Sequence, residues 1–89
     1  MALLLVTCDV KAPEKRQRSI RTALDRYSSL RLSDTTFAVI TDKTPDNICE
    51  EMKTAVGKDD TVCVISLKRP YEVNGSRTID DWLNKTLTD

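Results

Sequence analysis

Histidine is absent from the 89 residues, which excludes an imidazole general base, a His-activated nucleophile and any zinc set that needs a ring nitrogen. Glycine occurs only twice, so no glycine-rich loop of the nucleotide-cradling or dinucleotide type is present. Aromatic residues are scarce at 4%, and no aromatic–basic pattern of the kind that stacks RNA bases can be drawn from them. Net charge is also lacking: 14 basic residues balance 14 acidic ones, so no global attraction to a polyanion is expected. The apolar run Ala2-Leu3-Leu4-Leu5-Val6-Thr7-Cys8 falls far short of the roughly 20 residues that span a bilayer. It also lacks the basic start and cleavage region of a signal peptide, so the chain reads as cytoplasmic with no membrane partner. Cys8, Cys49 and Cys63 are odd in number, widely spaced and set in apolar surroundings, and read as core thiols.

What remains is ordinary globular material, 39% hydrophobic and 31% charged, enough for one domain over residues 1–89 with a single layered core. The charge is unevenly placed. Up to Arg31, seven basic residues face three acidic ones, a local excess of +4 that the remainder cancels.

The hydrophobic pattern orders the elements. Ala2 to Cys8 is a strand apolar on both faces, as a central strand covered by helices should be. Pro13 suits a first helical turn, and Ile20, Ala23, Leu24 and Tyr27 recur on one face of a helix from Glu14 to about Ser28. Arg18, Arg21 and Asp25 lie opposite, with Lys15 and Arg26 on a flank. Ser29 to Ser33 is a weak edge strand, joined through Asp34-Thr35 to the stronger Thr35-to-Thr41 strand. Thr44 and Pro45 open a second helix with Ile48, Met52, Ala55 and Val56 inward, and Gly57 is expected to end it in a left-handed conformation. Asp60 to Leu67 alternates as a strand. After Pro70 and the Asn74-Gly75 turn, Thr78-Ile79-Asp80-Asp81 reads as a capped start to a short helix that packs Trp82 onto the sheet. The order β-α-β-β-α-β with an added C-terminal helix predicts an α+β fold, a ferredoxin-like two-layer sandwich with both long helices on one face. The other face needs cover from the C-terminal helix or a second subunit, so a homodimer is expected.

Asp9 ends the first strand and precedes a basic helix. With the first and third strands taken as adjacent and parallel, Asp9, Asp42 and Asp60 are expected on one rim. Carboxylates so gathered suit Mg²⁺ or Mn²⁺, which polarises a phosphodiester and activates water. The expected metal set is therefore Asp9, Asp42 and Asp60, with Asp9 the catalytic candidate. The competing reading makes Asp42 a turn residue before the second helix, and Asp59-Asp60 turn residues after Gly57.

The stretch Leu3-Leu4-Leu5-Val6-Thr7-Cys8-Asp9-Val10, followed by a basic amphipathic helix, resembles the opening of the CRISPR-associated Cas2 family. Phe37-Ala38-Val39-Ile40-Thr41, the Thr44-Pro45 helix and the Asp60-to-Leu67 strand follow in the same order, so the likeness covers roughly residues 2 to 67. The resemblance implies a ferredoxin-like homodimer acting on RNA or DNA, either as a metal-dependent nuclease, including an endoribonuclease, or as a structural nucleic-acid-binding part. It would set Asp9 against its symmetry mate across a shared Mg²⁺ or Mn²⁺, with Lys11, Arg16 and Arg18 contacting phosphate. The chain departs from the family after Leu67, where Pro70 and the Trp82 helix replace a further strand, which favours a stand-alone relative. The alternative is a non-catalytic dimeric module for nucleic acid or a partner protein, including a toxin–antitoxin or phage role.

Overall fold

In the computed structural model, which describes residues 2–87, the chain forms one antiparallel sheet with helices on both faces. The elements are β1 (Ala2–Asp9), α1 (Pro13–Leu24), β2 (Ser28–Ser33), β3 (Thr36–Thr41), α2 (Pro45–Met52), β4 (Thr61–Ser66) and α3 (Arg77–Thr86). This is the expected order in an α+β chain. The strands lie as β2-β3-β1-β4, each antiparallel to its neighbours.

The strand direction corrects one expectation. β1 and β3 are adjacent but antiparallel, with Ala2 opposite Thr41 and Thr7 opposite Thr36. A strand that descends through α1, rises as β2 and turns back through a tight hairpin must enter β3 against β1. The end of β3 therefore lies at the start of β1, and Asp42 sits at the far end of the sheet from Asp9.

Alternation along β1 divides the core. Leu4, Val6 and Cys8 face α1 and α2, packing with Ile20, Leu24, Ile48, Met52 and Ala55. Leu3 faces the other side with Ala38 and Leu83 of α3, and Trp82 packs there too, as expected for the C-terminal helix. Fully burying side chains such as Ile20 and Ile48 removes each from water at about 1.5–3 kcal/mol apiece.

Local chemistry sets the boundaries. Pro13 and Pro45 occupy first helical turns, and the Thr44 hydroxyl accepts from the Asn47 amide. The α3 cap is Ser76, which accepts from Ile79 N–H at 3.2 Å, two residues before the expected Thr78. Gly57 does not hold a left-handed conformation; Gly75, in the expected Asn74-Gly75 turn, is the described glycine with positive φ. Among the cysteines, Cys8 is buried, Cys49 is half-buried and Cys63 is exposed, so the core-thiol expectation holds for Cys8 alone. Burial pushes the Cys8 thiol up to about 11, with the Asp60 charge adding to it, and this keeps it protonated and inert.

Candidate nucleic-acid interface

The acid that meets the basic helix is Asp60, not Asp9. The turn after α2 brings Asp60 under the start of α1, where its side chain is only 4% exposed. Oδ1 accepts from the Lys11 backbone N–H at 2.9 Å and Oδ2 from Gly57 N–H at 2.6 Å, while Arg16 Nε stands 4.0 Å away. The Lys11 and Gly57 amides, and the Arg16 charge beyond them, hold the carboxyl below its ordinary range. Gly57 serves this clasp by close approach: a Cβ there would lie 3.1 Å from Asp60 Oδ2 and 3.2 Å from Arg16 Nη2.

The three expected metal ligands do not converge. Asp9 is paired in register with Thr61, directly after Asp60, so the two acids share an end of the sheet. Alternation nevertheless puts exposed Asp9 on the Leu3 and Leu5 side, whereas Asp60 reaches toward α1 on the opposite side. Asp42 is at the other end, beside Tyr27 and Lys43. Among the described residues no three His, Cys, Asp or Glu side chains are grouped to hold a metal ion. Asp60 has both oxygens engaged by backbone donors. The residues of one chain therefore do not fit a Mg²⁺ or Mn²⁺ centre.

The basic side chains do converge. Lys15, Arg18 and Arg26 follow one row along α1 and the turn beyond it, at spacings of three and eight residues. They border a groove between α1 and the turn after α2, in which the Thr22 hydroxyl is the one not already donating to a backbone carbonyl, as those of Ser19 and Thr54 do. Two sets of contacts fix the walls of the groove. Ser19 Oγ donates to Ala55 O at 2.8 Å, tying the middle of α1 to the turn. At the far end Glu51 accepts from Tyr27 Oη at 2.5 Å and from Lys43 Nζ at 2.6 Å. Lys43, then Tyr27, lowers the Glu51 carboxyl below its ordinary range. Glu51 is thereby largely satisfied before Arg26, 3.9 Å away and 63% exposed, adds anything.

Among the described residues, no carboxylate lies within ion-pairing distance of Lys15 or Arg18. Of the expected phosphate contacts, Arg18 lies in the row. Lys11 is exposed on the loop leading into α1, and Arg16 is turned to the Asp60 clasp. Sequence reasoning had Lys15 and Arg26 on a flank without a role. Their spacing with Arg18 was visible, but the facing turn that makes a groove was not. Neither a protein-family model nor a curated protein matches the chain. No helix among the described residues is long and apolar enough to cross a membrane.

Proposed function

We propose that this chain is a non-catalytic nucleic-acid-binding module of ferredoxin-like architecture, working as a homodimer and similar in plan to the Cas2 family. The observation that carries the reading is the Lys15–Arg18–Arg26 row along one groove, with Lys15 and Arg18 unpaired among the described residues. Unpaired basic side chains are free to neutralise phosphates, and release of the cations condensed on the nucleic-acid backbone is the main favourable term in sequence-independent binding. The Thr22 hydroxyl beside them suits a phosphate or sugar oxygen. The few aromatic side chains available, and their use in packing, argue for backbone contact over base stacking.

The strand order β2-β3-β1-β4, antiparallel throughout, and the placement of α1 and α2 on one face support the ferredoxin-like reading. A non-catalytic role is favoured because, among the described residues, Asp9 belongs to no group of three potential metal ligands and Asp60 is spent on the clasp. Fluorescence anisotropy with labelled single-stranded RNA and DNA tests the reading. Wild type binds, and the triple variant Lys15→Gln/Arg18→Gln/Arg26→Gln loses most of that affinity. Equal binding by both proteins refutes it.

A further inference from the structure

The two edges of the sheet are protected unequally. β2 carries Arg31 in the strand, breaks register between Arg31 and Ser33, and lies near α3. Charge, a bulge and a nearby element are the usual guards against unwanted strand addition. β4, at the opposite edge, lacks the first two: Thr61-Val62-Cys63-Val64-Ile65-Ser66 contains no charge and no proline and its register with β1 is unbroken, while α2 packs on the face that Val62 and Val64 present. It also carries Ile65, the one large hydrophobic among the described residues that is strongly exposed, at 53%.

We infer that β4 pairs antiparallel with β4 of a second copy, centred on Val64, to make one continuous eight-stranded sheet. This specifies the interface of the homodimer proposed above and does not depend on the nucleic-acid reading.

Backbone direction fits. Leu67 N–H donates to Leu3 O, so by alternation Thr61, Cys63, Ile65 and Leu67 turn their amides toward β1. Val62, Val64 and Ser66 therefore turn theirs outward. A twofold axis perpendicular to the sheet keeps each face on its own side, so only residues of like parity meet. Centring on Val64 sets Val64 against itself and Val62 against Ser66, every member with outward groups. On the open face it sets Cys63 against Ile65 and covers the exposed isoleucine.

Charge selects this register. The strand is preceded by Asp59-Asp60 and followed, after Leu67, by Lys68-Arg69. Reversed against itself on Val64, the acidic start of one copy lies beside the basic end of the other, where exposed Asp59 and Lys68 are the groups placed to meet, since Asp60 is held in its clasp and Arg69 is turned to Asn84 and Leu87. Centring on Cys63 instead would bring Lys58 against Lys68. Parallel pairing would stack like on like. Opposite charges across strands stabilise and like charges destabilise.

Two consequences follow. Both copies of α1 lie on the same face of the joined sheet, so their basic rows are available to one polyanion. The two Asp9 residues stand roughly 25 Å apart, from ~3.4 Å per residue along the strands and ~4.8 Å between them, which is incompatible with a shared cation.

The experiment is light scattering in the absence of nucleic acid, joined to site-specific crosslinking. Wild type is expected to be a dimer. Ser66→Pro removes an outward amide while sparing the β1 ladder, and should weaken dimerisation roughly tenfold or more. Lys68→Glu should weaken it less, in a manner that fades with added salt. Under mild oxidation, Ile65→Cys should form a covalent dimer, because its new thiol lies opposite Cys63 in a non-hydrogen-bonded pair, within disulfide reach. Adding Cys63→Ser should abolish that product. A monomer at every concentration overturns the proposal, as does a dimer indifferent to both Ser66→Pro and Lys68→Glu. Rapid disulfide formation by wild type through Cys63 alone overturns the register.

Discussion

The backbone N–H of Lys11 donates to Asp60 Oδ1 at 2.9 Å, joining the loop before α1 to the turn before β4. With Gly57 N–H on the other oxygen, one carboxylate satisfies two loop amides from segments far apart in sequence. This relationship decides both what Asp60 does and what it cannot do, since a carboxylate so engaged has little left for a metal ion.

Asp60 should therefore act on stability, with a definite pH dependence. Its folded pKa is lowered by the Lys11 and Gly57 amides first and Arg16 after them. A depressed carboxylate stabilises the fold fully above its unfolded value, and the benefit is lost as pH falls through the folded value. Urea midpoints of wild type should fall as pH drops through the ordinary carboxylate range and below it. Asp60→Asn should start lower at pH 7 and lose less over that window. Parallel curves for the two proteins would contradict the clasp.

Gly57 offers a sharper check. Its φ is not in the left-handed range, so alanine meets crowding by Asp60 Oδ2 and Arg16 rather than backbone strain. Gly57→Ala should be neutral or destabilising in wild type, since crowding offsets the loss of unfolded-chain entropy. In an Asp60→Ala background the same change should stabilise by about 0.4–1 kcal/mol. Thermal or urea melts of the four proteins complete the cycle; a coupling of zero would show that the two residues do not meet.

At the other end of the groove, Tyr27→Phe removes the hydroxyl that donates to Glu51 and should cost about 1 kcal/mol in urea denaturation. Lys43→Ala should cost less, because Lys43 is exposed and its pairing is screened by water. The reverse order would place the weight of the cluster on the ion pair.

The fold was legible where one physical signal dominated. Ile20 and Leu24, and Ile48 and Met52, mark helix faces by spacing, and Thr44-Pro45 marks a start by chemistry that acts within one turn. Strand direction was legible only through topology. Taking β1 and β3 as parallel moved Asp42 to the wrong end, although the hairpin through Asp34-Thr35 already required the opposite. Asp9 and Asp60 share an end of the sheet, but only the pleat reveals that they lie on opposite faces. The Asp60 clasp depends on two backbone amides distant in sequence, which no residue pattern advertises. Gly57 and Asp60 at three residues apart hinted at a turn. Cys63 and Ile65 alternated as a buried strand would, yet α3 lies toward β2 and leaves them exposed.

The central claim is that phosphate is held by Lys15, Arg18 and Arg26, and salt dependence measures those contacts directly. With a short single-stranded oligonucleotide that occupies one copy, three contacts predict a log–log slope of affinity on salt near −2, about −0.7 for each. Arg18→Gln should flatten it by about 0.7, and the triple variant should leave almost no slope. Arg21→Gln, on the neighbouring side of α1 with Glu14 and Asp25, should change it little. A wild-type slope near zero, or an unchanged slope in the triple variant, would contradict the account.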